Sequence, residues 1–186
     1  LKIHKLNAIY PNSSKSVLNG LDLNMNRGDR LALVGRSGCG KSTVAKAVMQ
    51  LLPAGCICKG EIFLNGKNVL EQDKVSLQTI RGTEVGLIFQ DPISRLNPLM
   101  TVGDHLVDTF RAHDKSATNN TLVNKTKSLL DKVGIDPLRF NSFPHEFSGG
   151  MRQRVAIALA ICLRPPLIIA DEPTTSLDTI VADQIM

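Results

Sequence analysis

Four short apolar segments punctuate this chain, and each ends in a glycine-rich or polar turn. They occupy positions 30–34, 61–64, 85–89 and 167–170, and each has the length of a β-strand. The first, third and fourth segments have apolar residues at successive positions, which is typical of strands buried on both faces of a parallel sheet. Since parallel strands need crossover helices, the pattern predicts an α/β fold.

Four further segments have apolar residues at helical spacing. We predict helices over 43–52 and 152–163, the second of which is ended by two consecutive prolines. A Thr-x-x-Asp cap precedes a third helix over 102–113, and a fourth over 122–133 ends before a glycine. The polar stretch 114–120 joins these last two helices.

Predicted strands and helices are unevenly distributed along the chain. No strand-like segment lies between Pro92 and Pro144, where both of the capped helices are predicted. We therefore predict an α/β core with a mixed sheet, formed by residues 1–90 and 164–186. A helical subdomain is inserted into this core across residues 91–163.

The composition is that of an ordinary folded domain. Of 186 residues, 42% are hydrophobic and 21% are charged, which is too apolar a mixture for a disordered chain. The formal net charge of +5 suits an anionic ligand or a membrane-facing surface, but it is too diffuse to indicate nucleic-acid binding by itself. The longest apolar run, 155–163, is well short of the roughly 20 residues that span a bilayer, so we expect no transmembrane segment.

The cysteines have no spacing typical of a metal site. Cys56 and Cys58 are too close for a zinc knuckle and have no second pair, while Cys39 and Cys162 stand apart. We interpret all of them as reduced thiols. The first residues lack the pattern of a secretory signal and begin without a methionine, so we expect the chain to be a piece of a longer protein.

A glycine-rich motif of the form G-x-x-x-x-G-K-S directly follows the first predicted strand. Its glycines let successive backbone N–H groups point at phosphate oxygens, and the next helix directs its positive N-terminus at the same charge. Lys41 can bridge the β- and γ-phosphates, and the Ser42 hydroxyl can join the coordination shell of Mg²⁺. A ligand-free turn is the alternative, which the flanking strand and helix disfavour. The predicted nucleotide-binding residues are Gly35, Ser37, Gly38, Cys39, Gly40, Lys41, Ser42 and Thr43.

Two adjacent carboxylates, Asp171 and Glu172, follow the fourth predicted strand. The carboxyl ends of strands are where open α/β sheets place their ligands. Asp171 can hold Mg²⁺ through water, and Glu172 can orient or deprotonate an attacking water molecule. Alone, the pair is equally well explained as the polar end of a strand before a turn at Pro173. Together with the phosphate loop, it predicts a site that hydrolyses a nucleoside triphosphate.

The segment Phe-Ser-Gly-Gly-Met-Arg-Gln-Arg at 147–154 narrows the class of protein. Ser148, Gly149 and Gly150 offer a hydroxyl and backbone N–H groups at the start of a predicted helix, which together form a cradle for an anion. A plain helix N-cap is the alternative. Here the chain resembles the ATP-binding cassette (ABC) family, whose signature is usually Leu-Ser-Gly-Gly-Gln, so that Met151 stands in place of the glutamine.

Further motifs of the same family stand in order along the chain. Gln90 matches its Q-loop, Asp178 ends a match to its D-loop, and Tyr10 sits where the family places an adenine-stacking aromatic. The resemblance implies a RecA-like phosphate-loop fold, ATP and Mg²⁺ as cofactors, and a signature that acts on ATP bound by a second cassette. It also implies catalytic roles for Lys41 and Gln90, with Glu172 as the general base. The implied metal ligands are Ser42, Gln90 and Asp171.

The stretches around these motifs are similar to those of the dipeptide, oligopeptide and nickel uptake subfamily. This resemblance implies a bacterial importer subunit on the cytoplasmic face of the inner membrane. The implied partners are a second cassette, identical or paralogous, two membrane-spanning permeases and, indirectly, an extracytoplasmic solute-binding protein, but no nucleic acid. The transported solute stays open. After the Q-loop, Arg95, Leu96 and Met100 are candidate permease contacts.

Two other classes of function remain open from the sequence. A soluble ABC protein that acts on ribosomes or DNA shares the nucleotide motifs, but it is expected to carry a long coiled-coil insertion or two cassettes in one chain. A phosphate-loop kinase needs an acceptor pocket and an arginine-bearing lid, and it has no use for the cradle at 148–150. The family's switch histidine is expected well beyond the acidic strand, yet every histidine here precedes Asp171. We therefore expect the 186-residue polypeptide to bind ATP but hydrolyse it poorly.

Overall fold

Strands and helices alternate irregularly in the computed structural model, which describes residues 1–89, 91 and 96–172. The strands are β1 (Lys2–Ile9), β2 (Leu18–Asn24), β3 (Ile57–Leu64), β4 (Lys67–Asn68), β5 (Val85–Ile88) and β6 (Leu167–Ala170). The α-helices are α1 (Lys41–Val48), α2 (Lys74–Thr83), α3 (Val102–His113), α4 (Asn119–Lys132) and α5 (Gly149–Ile161). Short 3-10 helices cover Val69–Glu71, Pro137–Asn141 and Pro144–Glu146. The chain divides into two compact units, Leu1–Val85 and Gly86–Met186, and each is described by itself.

The first unit is built on an antiparallel sheet with the strand order β2-β1-β3-β4. The central pair of strands brings Ile3 opposite Ile62, and both side chains are buried together with that of Leu6. A register shift interrupts this pairing in the middle of β1. There Gly60 approaches β1 so closely that a Cβ would lie 2.6 Å from the carbonyl oxygen of Lys5. The close approach requires glycine at this position.

The prediction of a buried strand over 30–34 is wrong. In the described part of the first unit, no strand pairs with this segment. Leu31, Leu33 and Val34 are 47%, 44% and 93% exposed. An extended apolar segment becomes a strand only where a neighbouring strand takes up its backbone hydrogen bonds. The apolar character of residues 30–34 was therefore not sufficient to predict a strand.

The second unit is mainly helical, and its capped helices match the sequence pattern. α3 covers the predicted residues because the hydroxyl of Thr101 accepts a hydrogen bond from the N–H of Asp104 at 3.1 Å. α4 begins earlier than predicted because Thr118 caps it in the same way. The core between these helices and α5 contains Leu96, Val102, Leu106, Leu130, Ile135, Phe147, Val155, Ala158 and Cys162.

Cys162, at the end of α5, illustrates how this core affects a reactive group. Burial raises the pKa of its thiol to about 11. The Sγ–H donates to the carbonyl oxygen of Leu159 at 3.1 Å. Because the thiolate is the reactive form, this cysteine is inert at neutral pH.

β5 and β6 form a second, two-stranded sheet, which confirms the position of both predicted strands. Burial along β6 alternates, so the prediction that it is buried on both faces is wrong. Leu167 and Ile169 are half-buried, whereas Ile168 is 39% exposed. Successive side chains of a strand point to opposite faces, so one face of β6 remains open within its unit. Beside this sheet, Ile88 and Ile157 pack together in a small core.

β1, β2 and α2 were not predicted from the sequence. The bulge in β1 shifts the phase of its buried positions, which hides the alternation that marks a strand. α2 does carry a recognisable signal, because the carboxylate of Asp73 accepts from the N–H of Ser76 at 2.8 Å. Among the described residues, no helix combines the length and the apolar character needed to cross a membrane.

Candidate functional site

The glycine-rich segment 35–40 forms a loop that leads directly into α1. Gly40 is the N-cap of this helix and has φ 101° and ψ 7°, a left-handed conformation that favours glycine. Gly38 also has a positive φ of 79°. The turn is closed by the N–H of Cys39, which donates to the carbonyl oxygen of Arg36 at 3.3 Å. This geometry presents the N-terminus of α1 to the space that the loop surrounds, as binding of an anion requires.

Lys41 folds back over this loop. Its ammonium donates to the carbonyl oxygens of Gly35 at 2.8 Å and of Arg36 at 3.0 Å. Both bonds are exposed to solvent. The backbone therefore holds a positive charge at the loop, where phosphate oxygens can replace carbonyl oxygens as its acceptors.

Tyr10 lies next to the same helix although it is far away in sequence. Its hydroxyl and that of Thr43 are 3.2 Å apart and share a hydrogen bond. Tyr10 directly follows β1, and Thr43 is buried in the first turns of α1. The sheet thus brings the single tyrosine of the chain to the phosphate loop. The candidate residues 35–43 and Tyr10 form one site in the first unit.

We predict that Gly40→Ala destabilises the folded protein by about 2 kcal/mol. The new Cβ would lie 2.9 Å from Leu18 Cδ2 and 3.1 Å from the carbonyl oxygen of Val17, in a backbone conformation that alanine rarely adopts. Gly38→Ala is the matched control, because its Cβ would meet nothing within 4 Å and only the positive φ opposes it. Urea unfolding measures both variants. Equal losses of stability would contradict the steric part of the argument.

The signature segment forms the N-terminus of α5. The hydroxyl of Ser148, the N-cap, accepts from the N–H of Met151 at 3.4 Å. Ser148 and Gly149 are exposed, and a Cβ added to Gly149 would meet nothing within 4 Å. The first turn contains no acidic residue. The helix end is therefore open to solvent at Ser148 and Gly149, which is what binding of an anion there requires.

Two arginines that sequence analysis did not single out fix this helix end in place. Arg152 Nε donates to the carbonyl oxygen of Pro144 at 2.9 Å. Arg154 Nη1 donates to the carbonyl oxygen of Val133 at 2.9 Å, at the end of α4. Backbone carbonyl acceptors give no sequence signal, so only the tertiary structure identifies these contacts.

The two acidic candidates follow β6. The N–H of Asp171 donates to the carbonyl oxygen of Ile88, at the end of β5, at 3.0 Å. Asp171 is half-buried and Glu172 is exposed. Glu172 has a φ of 48°, which is uncommon for a side chain other than glycine, asparagine or aspartate. Such backbone conformations occur often at functional sites.

Some predicted residues cannot be placed in this arrangement. Gln90, Arg95 and Asp178 lie outside the described residues. Of the predicted permease contacts, Leu96 is buried in the core of the second unit and Met100 is half-buried. The described candidate residues therefore form separate groups. The phosphate loop and Tyr10 lie in the first unit, whereas the signature and the acidic pair lie at different places in the second unit.

A glycine-rich loop at a helix start, with a lysine held over it, defines a phosphate-loop protein of the α/β class. A sequence model described as "ABC transporter" matches residues 18–175. The chain belongs to the ABC transporter family. This confirms the resemblance inferred from the motifs.

Curated relatives carry names from peptide transport. The oligopeptide transport ATP-binding protein OppD of Bacillus subtilis is 44% identical over 174 residues, which cover 91% of this chain and 48% of the relative. OppD of Salmonella typhimurium is 40% identical over 100% of this chain and 56% of the relative. A putative peptide import ATP-binding protein of Brucella ovis is 38% identical, with 100% and 58% covered. The chain thus spans about half the length of these relatives.

Solved structures support the same fold. The ATP-binding cassette MJ0796, in a dimeric post-hydrolysis state bound to ADP and Pi, superposes with a TM-score of 0.87 at 27% identity. The match covers 99% of this chain and 78% of that one. A second dimeric structure of the same bacterial cassette gives a TM-score of 0.86. These likenesses confirm the predicted phosphate-loop fold.

Proposed function

We propose that this chain is the ATP-binding and ATP-hydrolysing part of a bacterial ABC importer for peptides, nickel or a related small solute. The observation that carries the proposal is the conjunction, in one chain, of a phosphate loop holding Lys41 and a helix N-terminus formed by the signature. Relatives named as oligopeptide transport ATP-binding proteins support the importer class and favour peptides among the solutes.

The phosphate loop binds the triphosphate of ATP in this proposal. The backbone N–H groups of 35–43 and the N-terminus of α1 receive the phosphate oxygens. Lys41 exchanges its contacts with the loop carbonyls for the β- and γ-phosphates. Tyr10, held beside α1 through Thr43, offers its ring to the adenine.

The oxygen donors of the chain fit Mg²⁺, which prefers hydroxyl, carboxylate and amide oxygens. Ser42, Gln90 and Asp171 would hold the ion, which when bound neutralises the phosphate charge. The position of Ser42 in the first turn of α1 supports this role. Glu172 accepts a proton from the attacking water and orients that water by hydrogen bonding.

The signature acts on ATP that is held by a second cassette, identical or paralogous. Ser148 and Gly149 are exposed and Gly150 is half-buried, and in this proposal the donors of these three residues meet the γ-phosphate across a dimer. ATP binding closes the two cassettes, and hydrolysis reopens them.

Transport requires partners in the membrane. We propose two permease subunits that convert the closure of the cassettes into alternating access, and an extracytoplasmic solute-binding protein that delivers the solute. The chain would lie on the cytoplasmic face of the inner membrane. Its core would comprise residues 1–90 and 164–186, with the helical subdomain across 91–163.

The direct test uses the natural full-length polypeptide. ATP with Mg²⁺ is expected to convert a Glu172→Gln variant from monomer to dimer in size-exclusion chromatography, and ADP is not. Affinity purification from solubilised membranes is expected to recover permeases with the unmodified protein. Recovery of ribosomes or nucleic acid in their place, or phosphoryl transfer to a small acceptor, would contradict the importer assignment.

We also predict that ATP protects Cys39 from alkylation. Cys39 is exposed in the phosphate loop, so a bound triphosphate would cover it, whereas Cys162 is buried with the pKa of its thiol raised to about 11. At pH 8, N-ethylmaleimide is expected to label Cys39 rapidly and Cys162 not at all. Addition of ATP should slow labelling of Cys39 about tenfold or more. Mass spectrometry of peptides measures both sites, and unchanged labelling with saturating ATP would argue against nucleotide in this loop.

A further inference from the structure

The guanidinium group of Arg139 contacts the signature segment on both sides of its Ser-Gly-Gly sequence. Its Cζ lies 5.2 Å from the ring centroid of Phe147, the residue before Ser148. Its Nη1 donates to the sulfur of Met151, the residue after Gly150, at 3.8 Å. One side chain thus links the two residues that bracket the cradle.

The backbone of Arg139 is fixed independently of these contacts. It lies in the 3-10 helix Pro137–Asn141, which Asp136 caps. The N–H of Ser142 donates to the carbonyl oxygen of Arg139 at 3.0 Å. The carbonyl oxygen of Ser142 in turn accepts from the N–H of Val102 at 2.9 Å, at the start of α3. Arg139 therefore reaches the signature from an anchored segment.

The ring of Phe147, which the Arg139 guanidinium contacts, is held in place by the core. Its side chain is 2% exposed and belongs to the core of the second unit. Met151, by contrast, is half-buried, and its flexible thioether adapts to the guanidinium while acting as a weak acceptor. The pair of contacts explains how methionine is accommodated where the family usually has glutamine.

The charge of Arg139 lies beside the N-terminal end of α5, which begins after Ser148. A helix N-terminus carries partial positive charge, and the first turn of α5 has no acidic residue. Arg139 takes part in neither of the ion pairs between described residues, which are His4–Asp22 and Arg111–Asp108. A cation held beside a positive helix end becomes favourable when an anion binds there.

We propose that Arg139 is a positioning residue of the signature. It holds Phe147 and Met151 so that residues 148–150 face the γ-phosphate of ATP on the second cassette, and its charge strengthens that contact. The inference rests on the proposed function, since it requires the signature to meet ATP.

The test compares Arg139→Met with Arg139→Lys in the full-length Glu172→Gln protein. Methionine keeps most of the volume but removes the charge and the contact of the guanidinium with the Phe147 ring, whereas lysine keeps the charge. The ATP concentration for half-maximal dimerisation is expected to rise about tenfold with methionine and less with lysine. Binding of trinitrophenyl-ATP to the monomer should be unchanged, because the phosphate loop is intact.

Arg111→Met is the matched control, since Arg111 lies on α3 of the same unit in an exposed ion pair with Asp108. Met151→Leu is a second variant that removes the sulfur acceptor but keeps the packing, and we expect it to raise the ATP concentration needed for dimerisation as Arg139→Met does.

The outcomes separate the two proposals. If the parent protein does not dimerise with ATP, the proposed function fails. If the parent dimerises and Arg139→Met behaves like Arg111→Met, the role of Arg139 is refuted. The proposal would also be overturned if Arg139→Met and Arg139→Lys lost ATP-dependent dimerisation equally and both bound trinitrophenyl-ATP less well. That result would show that Arg139 only stabilises the fold.

Discussion

Replacement of Lys41 by methionine in the full-length polypeptide is expected to reduce ATP turnover about a hundredfold or more. The ammonium lies over the phosphate loop, bound to the carbonyl oxygens of Gly35 and Arg36. Methionine has a similar length but cannot donate hydrogen bonds or compensate phosphate charge. Since both carbonyl bonds are exposed, water can replace the ammonium, and the melting temperature should change little. Release of phosphate, measured under saturating ATP, and the melting temperature together separate loss of function from loss of fold.

Lys46→Met is the matched control for this experiment. Lys46 lies in the last turn of the same helix, α1, outside the phosphate loop. Its loss is expected to leave turnover within about twofold of the parent value. If Lys41→Met hydrolyses ATP as fast as Lys46→Met, the phosphate loop is not the site of hydrolysis.

The second large effect is expected for Glu172→Gln in the full-length polypeptide, which should lower kcat about a hundredfold to ten-thousandfold while ATP binding persists. Glutamine keeps the shape of the side chain after β6 but cannot take a proton from water. ATP should therefore remain intact in a closed dimer. Turnover is measured by phosphate release, and the state of the nucleotide by chromatography of the dimer peak.

Glu61→Gln is the control for the loss of one negative charge, because Glu61 is an exposed residue of β3 and lies outside the acidic pair. Wild-type turnover in Glu172→Gln would exclude Glu172 as the general base. Loss of ATP-dependent dimerisation in the same variant would contradict the proposed function.

Local sequence signals located several elements accurately. The Thr-x-x-Asp cap predicted where α3 begins, and the hydroxyl of Thr101 does accept from the N–H of Asp104. The signature predicted a capped helix end, which Ser148 provides for α5. Caps are readable because their hydrogen bonds join residues that are three positions apart. The same locality explains the accurate prediction of the glycine-rich loop.

Strand assignments succeeded only where the partner strand is present. The apolar segments 85–89 and 167–170 contain β5 and β6, but 30–34, in which four of five residues are apolar, has no partner strand in its unit and is exposed. β1 and β2 were missed because a bulge shifts the phase of the pattern. Strand pairing depends on distant residues, so a local pattern cannot decide it.

For this protein, the sequence by itself determined the family and the order of the chemical groups, because phosphate loop, signature and acidic pair are each contiguous motifs. The tertiary structure decided which distant residues support them. It placed Tyr10 against Thr43, Asp171 beside the end of β5, and Arg139 across Phe147 and Met151. These contacts use side-chain hydroxyls, backbone carbonyls, a ring and a sulfur atom from separate segments. These groups interact only when folding brings them within hydrogen-bond or stacking distance, so their contacts cannot be predicted from the sequence.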